Sequence, residues 1–150
     1  MPQSIARVYV HLVFGTRHRQ RSIDDDVRLP LHEFIRGALH TRGDYPEAIN
    51  SVADHIHILL QLGRTSALSE TVEDIKTSSS KWIKQRGPQY RDFYWQIGYS
   101  AFSVCHDRLL TVRQYIARQQ VHHALHSFED EICDLLARND LEFDPRDLWD

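Results

Sequence analysis

Cysteine, long apolar segments and net charge are all scarce in this sequence. Only two of its 150 residues are cysteine, Cys105 and Cys133, and they lack the spacing of a metal-binding pair. This usage predicts free thiols in a reducing cytosol rather than a structural disulfide. No apolar run is long enough to span a bilayer, and no signal peptide precedes the first predicted strand. Together these absences predict a cytoplasmic protein with no membrane segment.

A strong charge of either sign is also missing. The 18 Lys and Arg residues nearly balance 21 Asp and Glu residues, and the formal net charge is −3. The chain is therefore not a polycation, and any nucleic-acid surface has to be a local basic patch. Internal repeats, low-complexity tracts and linkers are absent as well. We predict a single domain over residues 1–150, with a core over 4–126 and a C-terminal helix and tail over 127–150.

Histidine, in contrast, is abundant, with ten residues, and two of them interrupt an apolar segment. Residues 52–60 have the composition of a buried strand, in which side chains alternate between faces. His55 and His57 therefore leave one face together, while Ile56 points into a core. Two neutral imidazoles this close can bind one metal ion, and the preceding Asp54 can orient one of them. The same pattern is equally typical of two hydrogen-bonded histidines on a half-buried strand.

Alternation and helical spacing divide the rest of the chain into elements. Strands are predicted at 5–16, 47–52, 55–62 and 97–104. Helices are predicted from Asp24 to Gly43, from Leu68 to Gly87, over 107–125 and around 128–136. The order β-α-β-β-α-β, followed by C-terminal helices, predicts an α+β ferredoxin-like fold with helices on one side of an antiparallel sheet. The histidine pair then faces the other side, which stays open unless a later helix covers it. The acidic tail 140–150 is expected to pack back on the domain or on a partner chain.

Basic residues cluster after the first strand and along one side of the second long helix. These residues are Arg17, Arg19, Arg21, Lys76, Lys81 and Lys84. A basic helix face is commonly just a solvated surface, but cations beside small hydroxyl residues also suit a phosphate backbone. We therefore treat the six cations as candidate DNA contacts. The aromatic residues at 90–95 are expected to lie mostly in the core, with base stacking as the alternative.

A third polar pattern lies in the predicted helix 107–125. Tyr115 and Gln119 are four residues apart and share a face, with His122 one turn further on. An interfacial tyrosine on an amphipathic helix is the commoner explanation of such a pattern. A phenol, with a pKa of about 10, is a poor nucleophile at neutral pH unless a metal ion favours its anion or polarises the electrophile. In-line attack by Tyr115 on a phosphodiester would exchange one phosphodiester for another without ATP.

The two patterns together resemble the single-tyrosine HUH transposases, the small insertion-sequence enzymes and their REP-associated relatives. Residues 54–60, Asp-His-Ile-His-Ile-Leu-Leu, are similar to the family's DHVHLLL motif, and residues 115–122 are similar to its YIxxQxxH helix. The segments 11–19 and 76–82 and the pair Gly98-Tyr99 are similar too. The resemblance covers nearly the whole chain, and the paired motifs are much more specific than either alone.

The resemblance implies a role for each residue of these motifs. Tyr115 would be the nucleophile, and His55, His57 and Gln119 would bind Mg²⁺ or Mn²⁺. Asp54 would orient a ligand, and His122 would replace or supplement Gln119. The substrate would be single-stranded DNA with hairpins, the intermediate a 5′-phosphotyrosine, and the working unit a homodimer in which the tyrosine helix docks on its own chain or on its partner.

Two segments depart from the family pattern, and two other functions stay open. Val52-Ala53 replaces the usual Met-Pro before the Asp-His pair, which is a harmless change of turn. Residues 100–104 replace a common Thr-Val-Gly segment, and this replacement bears on hairpin recognition and on the hinge of the tyrosine helix. One alternative is a domesticated module that binds hairpin DNA without cutting it. Another is a metal hydrolase that uses the His-x-His pair with water and leaves Tyr115 and Gln119 idle.

Overall fold

The structure, a computed structural model, describes residues 3–149 and contains a four-stranded antiparallel sheet. The elements are β1 Val8–Gly15, α1 Asp25–Arg42, β2 Tyr45–Ser51, β3 His55–Leu62, α2 Leu68–Lys84, β4 Ser100–Val104, α3 Leu109–Ala117, α4 Gln119–His123 and α5 Phe128–Arg138. The strand order is β2-β3-β1-β4, with β1 and β3 paired antiparallel at the centre. This is the ferredoxin-like arrangement that the order of the predicted elements indicated.

One face of the sheet packs against α1 and α2 and holds the larger core. Alternation along the central strands sends Leu12 and Phe14 of β1, and Ile56 and Ile58 of β3, to this face, where all four are fully buried. The first helix begins where predicted, because the Asp24 carboxylate caps it by accepting a hydrogen bond from the backbone N–H of residue 27. It ends at Gly43, whose positive φ of 83° suits a glycine.

The opposite face of the sheet is covered by α5. Phe128, Ile132 and Leu136 on one side of that helix pack against Val13 of β1 and Phe102 of β4. Leu148 and Trp149 of the C-terminal tail join the same cluster. Of the two arrangements expected for the tail, packing on its own domain and packing on a partner chain, the structure shows the first. The face that carries the histidine pair is therefore enclosed by a later helix and is not an open surface.

One continuous helix was predicted over 107–125, and this prediction is wrong because the structure has two helices there. The chain forms a 3₁₀ turn at His106–Arg108, then α3, and breaks at Arg118 before the short α4. The break has a partner on the sheet: the Asn50 side-chain amide of β2 donates to the carbonyl oxygen of Ile116, at 2.8 Å. The Gln120 side chain in turn donates to Oδ1 of Asn50, at 2.9 Å. The last carbonyl groups of α3 are thus satisfied from outside the helix, which ends there.

The last strand is shorter than predicted and begins at Ser100. Residues 96–98 instead form a loop, in which Lys76 of α2 donates to the carbonyl oxygens of Gln96 and Gly98. Gly98 has a φ of 90°, and a Cβ there would meet nothing within 4 Å. The glycine therefore serves a left-handed turn.

Two simpler predictions concern the cysteines and the membrane. Cys105 and Cys133 are both free and exposed, as expected. Within residues 3–149 no helix has the length and apolarity needed to cross a bilayer.

Candidate active site and metal centre

The histidine pair of β3 is fully buried beneath α5. Because Ile56 and Ile58 occupy the main core, His55 and His57 must point to the other face of the sheet, where both have a relative exposure of 0%. The ring of Phe128 from α5 stacks on the ring of His55, with centroids 4.0 Å apart. The pair is therefore shielded from solvent by the C-terminal helix.

The Nδ1 atom of each ring is held on the side away from the cluster. His55 donates from Nδ1 to the Asp54 carboxylate, at 2.7 Å, as the sequence suggested for Asp54. The Nδ1 atom of His57 lies 2.8 Å from Nε2 of His11, which projects from the same face of β1. These contacts leave both Nε2 atoms directed toward α4 and α5.

A carboxylate from α5, Glu131, meets the two histidines. Its Oε1 atom lies 3.0 Å from Nε2 of His55 and 2.8 Å from Nε2 of His57. The Nε2 atom of His123 from α4 lies 2.9 Å from the same oxygen. Three imidazoles from two elements therefore converge on one carboxylate oxygen that is almost fully buried.

The second oxygen of this carboxylate contacts the tyrosine side of the site. The hydroxyl of Tyr115 donates a hydrogen bond to Oε2 of Glu131. The side-chain amide of Gln119 donates to the same oxygen, at 3.1 Å, while the amide oxygen is buried without a hydrogen-bond partner among the described residues. Nε2 of His122 lies 3.5 Å from Oε2 of Glu131. Glu131 thus joins the predicted nucleophile to the predicted metal ligands.

Burial and charge fix the protonation of this central pair. Burial, reinforced by the hydrogen bond to Glu131, raises the pKa of Tyr115 far above its ordinary value. Burial also opposes ionisation of Glu131, but hydrogen bonds from His123, His55 and His57 outweigh it and hold the pKa of Glu131 well below its usual range. In this state the phenol is neutral and the carboxylate is charged.

The buried histidines titrate differently from one another. Burial lowers the pKa of His57 to about 4 and that of His11 to about 3. Burial also acts to lower the pKa of His55, but hydrogen bonds with Asp54 and Glu131 outweigh it and leave the pKa raised. His11 and His57 are therefore neutral at pH 7, and a neutral imidazole is the form that binds metal.

The donor atoms fit a metal ion. One nitrogen from each of His55, His57 and His123 and one carboxylate oxygen of Glu131 all lie within 4.8 Å of one another. The buried, unpaired amide oxygen of Gln119 is a further donor next to this group. Nitrogen and oxygen donors at such spacing suit a divalent cation.

Sequence reasoning placed Tyr115, His55, His57, Gln119, Asp54 and His122 at one site, and the structure brings all of them together. His123 and Glu131 were not predicted, and His11 was included only through the family-like segment 11–19. A signal for Glu131 was present, because it lies on the apolar side of α5 between Phe128 and Ile132, where a carboxylate needs a buried partner.

The six candidate DNA contacts differ in what surrounds them. Arg17 and Lys84 share the exposed ring of Tyr94, with the guanidinium carbon 5.9 Å and the ammonium nitrogen 4.0 Å from its centroid. Arg19 pairs with Glu129 of α5 and lies over Trp149. The other three have different surroundings: Lys76 binds the 96–98 loop, Arg21 lines a cleft beside Asp54, and Lys81 is exposed on α2, one turn before Lys84.

A cleft of about 370 Å³ reaches the tyrosine from the side of α3 and β4. His11 and Tyr115 form its inner wall, and Arg108, Thr111 and Arg138 lie along its sides. A second cleft of about 440 Å³ lies on the other side of the site, near Asp54 and His123. Although the candidate metal-binding atoms are buried, the phenol adjoins a space bordered by cationic side chains.

Comparison with known proteins gives a family and two similar structures. The family described as "Transposase IS200 like" matches residues 4–119. A putative transposase from Deinococcus radiodurans R1 is 20% identical, covers 79% of this chain and 98% of its own, and has a TM-score of 0.62. A REP-associated tyrosine transposase bound to a REP hairpin is 14% identical, covers 82% of this chain and 73% of its own, and has a TM-score of 0.61. No curated protein matches the sequence.

Proposed function

The chain belongs to the IS200-like transposases, and we propose that it cleaves and rejoins single-stranded DNA with Tyr115 as its nucleophile. In the cleavage step the phenol oxygen bonds to phosphorus and the bond from phosphorus to the 3′ oxygen breaks. The products are a 5′-phosphotyrosine and a free 3′ hydroxyl. Rejoining reverses the step when another 3′ hydroxyl attacks the phosphotyrosine, so no ATP is consumed.

The observation that carries this proposal is the bridge made by Glu131. One carboxylate group touches both the Tyr115 hydroxyl and the Nε2 atoms of His55 and His57. Nucleophile and metal ligands are therefore within the reach of a single small oxyanion. A scissile phosphate is an oxyanion of similar reach, and a productive site has to contact it with the same groups.

Each residue has a task in this proposal. Oε2 of Glu131 already accepts the phenol hydrogen bond, so it is the nearest acceptor for the proton that Tyr115 loses on attack. Asp54 and His11 hold the His55 and His57 rings in place. His55, His57 and Gln119 would hold Mg²⁺ or Mn²⁺, with His122 at the edge of the site. When bound, such an ion supplies positive charge to the phosphate oxygens.

We infer further that the substrate carries hairpins and that Arg17, Lys84 and the exposed Lys81 contact its backbone. The predicted homodimer stays a prediction. Tyr115 reaches the histidine pair of its own chain through Glu131, so a single chain holds every group named above. This arrangement favours docking of the tyrosine helix in cis.

A denaturing-gel assay tests the proposal. The protein is incubated with Mn²⁺ and single-stranded oligonucleotides from both flanks of its own gene. We expect a covalent protein–DNA band that is lost in Tyr115→Phe and His57→Ala. The band should be kept in the matched control Tyr45→Phe, since Tyr45 is an exposed tyrosine that pairs with Gln61, at the opposite end of β3 from His55. An adduct that survives Tyr115→Phe would contradict the assigned nucleophile.

The alternative function, hairpin binding without cleavage, draws support from one observation. Burial and the hydrogen bond to Glu131 raise the pKa of Tyr115 in the DNA-free protein, which disfavours the phenolate that attack requires. Hairpin binding with no adduct in either Mg²⁺ or Mn²⁺ would establish this alternative. Cleaved product with no adduct would instead indicate hydrolysis by water.

A further inference from the structure

Two of the groups that surround the histidine pair lie outside the family match, which ends at residue 119. We propose that His123 and Glu131 are direct metal ligands and that, with His55 and His57, they form a four-donor site for a transition metal in the DNA-free protein. The inference deepens the proposed function, because it names the ligands at the same site. It also assigns α4 and α5 to the metal centre.

The spacing of the donor atoms supports a shared ion. A tetrahedral ion with bonds of about 2.1 Å separates its ligand atoms by roughly 3.4 Å. Here Oε1 of Glu131 lies 2.8 Å from Nε2 of His57, 2.9 Å from Nε2 of His123 and 3.0 Å from Nε2 of His55. Outward shifts of about half an ångström would open the group to that size.

The positions of the hydrogens on two of the rings also support a shared metal ion. His55 donates from Nδ1 to the Asp54 carboxylate, and His123 donates from Nδ1 to the backbone carbonyl of His126, at 2.7 Å in both cases. Both partners can only accept, so each Nδ1 carries the hydrogen and each neutral ring presents a lone pair at Nε2. This is how a metal-binding histidine is usually held.

The Nε2 atoms of these two rings meet at one buried carboxylate oxygen. They are 3.0 Å apart, and Oε1 of Glu131 lies 3.0 Å from that of His55 and 2.9 Å from that of His123. The side chain of Glu131 is only 1% exposed, so solvent does not separate the three atoms. A divalent cation that replaces the hydrogens between the ring nitrogens and this oxygen would bind His55, His57, His123 and Glu131 at once.

The donor set also indicates which metals fit. Three imidazole nitrogens with one carboxylate oxygen suit borderline transition metals, whereas Mg²⁺ prefers oxygen donors and retained water. The site should therefore favour ions such as Zn²⁺ and Co²⁺ over Mg²⁺. Gln119, which the family resemblance implies as a ligand, presents its amide nitrogen to Glu131 and contributes no oxygen to this group of four.

Calorimetric titration of the DNA-free protein with Zn²⁺ tests the ligand set. We expect one high-affinity site, which Glu131→Gln and His123→Ala each weaken at least about tenfold. Asp134→Asn is the matched control, because its carboxylate lies on the same helix but is 57% exposed and pairs with Arg138. Gln119→Ala should weaken binding less than Glu131→Gln does. The reverse order, or unchanged affinity in Glu131→Gln, would overturn the inference.

A spectroscopic measurement on the unmodified protein covers the case in which a variant does not fold. X-ray absorption of the Zn²⁺-loaded chain should show three imidazole ligands, and Co²⁺ should give the visible bands of a low-coordinate nitrogen and oxygen site. Two imidazoles, or a six-coordinate spectrum, would overturn the inference. Both readouts are independent of DNA, so an adduct that forms in a chain with only two imidazole ligands keeps the proposed function and refutes this site.

Discussion

The Nε2 atom of His11 lies 2.8 Å from Nδ1 of His57, and the two rings stack with their centroids 5.1 Å apart. The register of β1 against β3 produces this contact, because Val13 pairs with His57 and His11 pairs with Leu59, which puts both imidazoles on one face of the sheet. His11 therefore sets the orientation of His57 without reaching the carboxylate of Glu131 itself.

Replacing His11 by phenylalanine should weaken metal binding while the fold is kept. The ring shape stays, but His57 loses the partner that fixes its tautomer, and loss of such a contact costs about 10- to 100-fold in affinity. Titration with Zn²⁺ measures the effect. His40→Phe, at an exposed histidine of α1, is the control and should bind as the original chain does. Equal affinities in the two variants would show that His11 does not orient His57 for metal binding.

Arg17 and Lys84 should contribute to DNA affinity in a salt-dependent way. The two cations flank the exposed Tyr94 ring, and each phosphate contact to single-stranded DNA adds about 0.7 to the slope of log affinity against log salt. The double variant Arg17→Ala with Lys84→Ala should lower that slope by about 1.4. Fluorescence anisotropy across a salt series measures it. Arg19→Ala should change the slope less, because Glu129 already pairs with Arg19. A larger change of slope in Arg19→Ala than in the double variant would indicate that DNA contacts the surface beside α5 instead.

His32 should make stability depend on pH. It is buried in α1 next to the Ser51 hydroxyl, and burial, together with Arg28 and Arg36, lowers its pKa from 6.5 to about 4. Above pH 6.5 both states are neutral at this residue, so it adds no pH dependence. Below pH 6.5 the unfolded chain binds a proton first, and stability falls until about pH 4 by on the order of 3 kcal/mol.

Urea denaturation between pH 7 and pH 4 measures this dependence. His32→Leu should flatten the curve, although His11 and His57 still contribute to it, since burial lowers their pKa values as well. The exposed His40→Gln variant should follow the original chain. A profile of His32→Leu that is as steep as that of the original chain would show that His32 is not held neutral.

Ile132→Ala should destabilise the packing of α5 over the site more than it destabilises the sheet. Ile132 is buried against the face formed by Val13 and Phe102, and such a truncation costs about 2–5 kcal/mol when the cavity does not collapse. Hydrogen exchange should show faster exchange in α5 than in β3. Leu125→Ala, at a residue that is 81% exposed, should have little effect. Uniform acceleration across the chain would mean that α5 opens only by global unfolding.

Local patterns along the chain were sufficient to predict the sheet and the position of the histidine pair. The alternation around His55 and His57 and the caps at Asp24 and Gly43 each depend on neighbours within a few residues, and each lies where predicted. These elements in turn determine which face of the sheet holds the site. This part of the geometry depends on neighbouring residues and can therefore be predicted from the sequence.

The parts that were missed depend on contacts between distant segments. The break at Arg118 is stabilised by Asn50 from the edge strand, and helical periodicity alone contains no information about that partner. Glu131 occupies a position in the apolar stripe of α5, where the pattern predicts a hydrophobic residue, and its purpose is visible only once β3 and α4 lie beside it. A polar residue inside an apolar stripe was the one available clue.

Closure of the sheet by α5 separates the stability of the main core from the completeness of the site. The core that the strands form with α1 and α2 uses no residue after Ala101. Glu131, by contrast, lies on α5, 74 positions after His57. Because one element can unfold locally while the rest of a domain stays folded, release of α5 would remove the carboxylate and leave the histidine pair in a folded sheet. The completeness of the site therefore depends on the local stability of α5 and not on that of the main core.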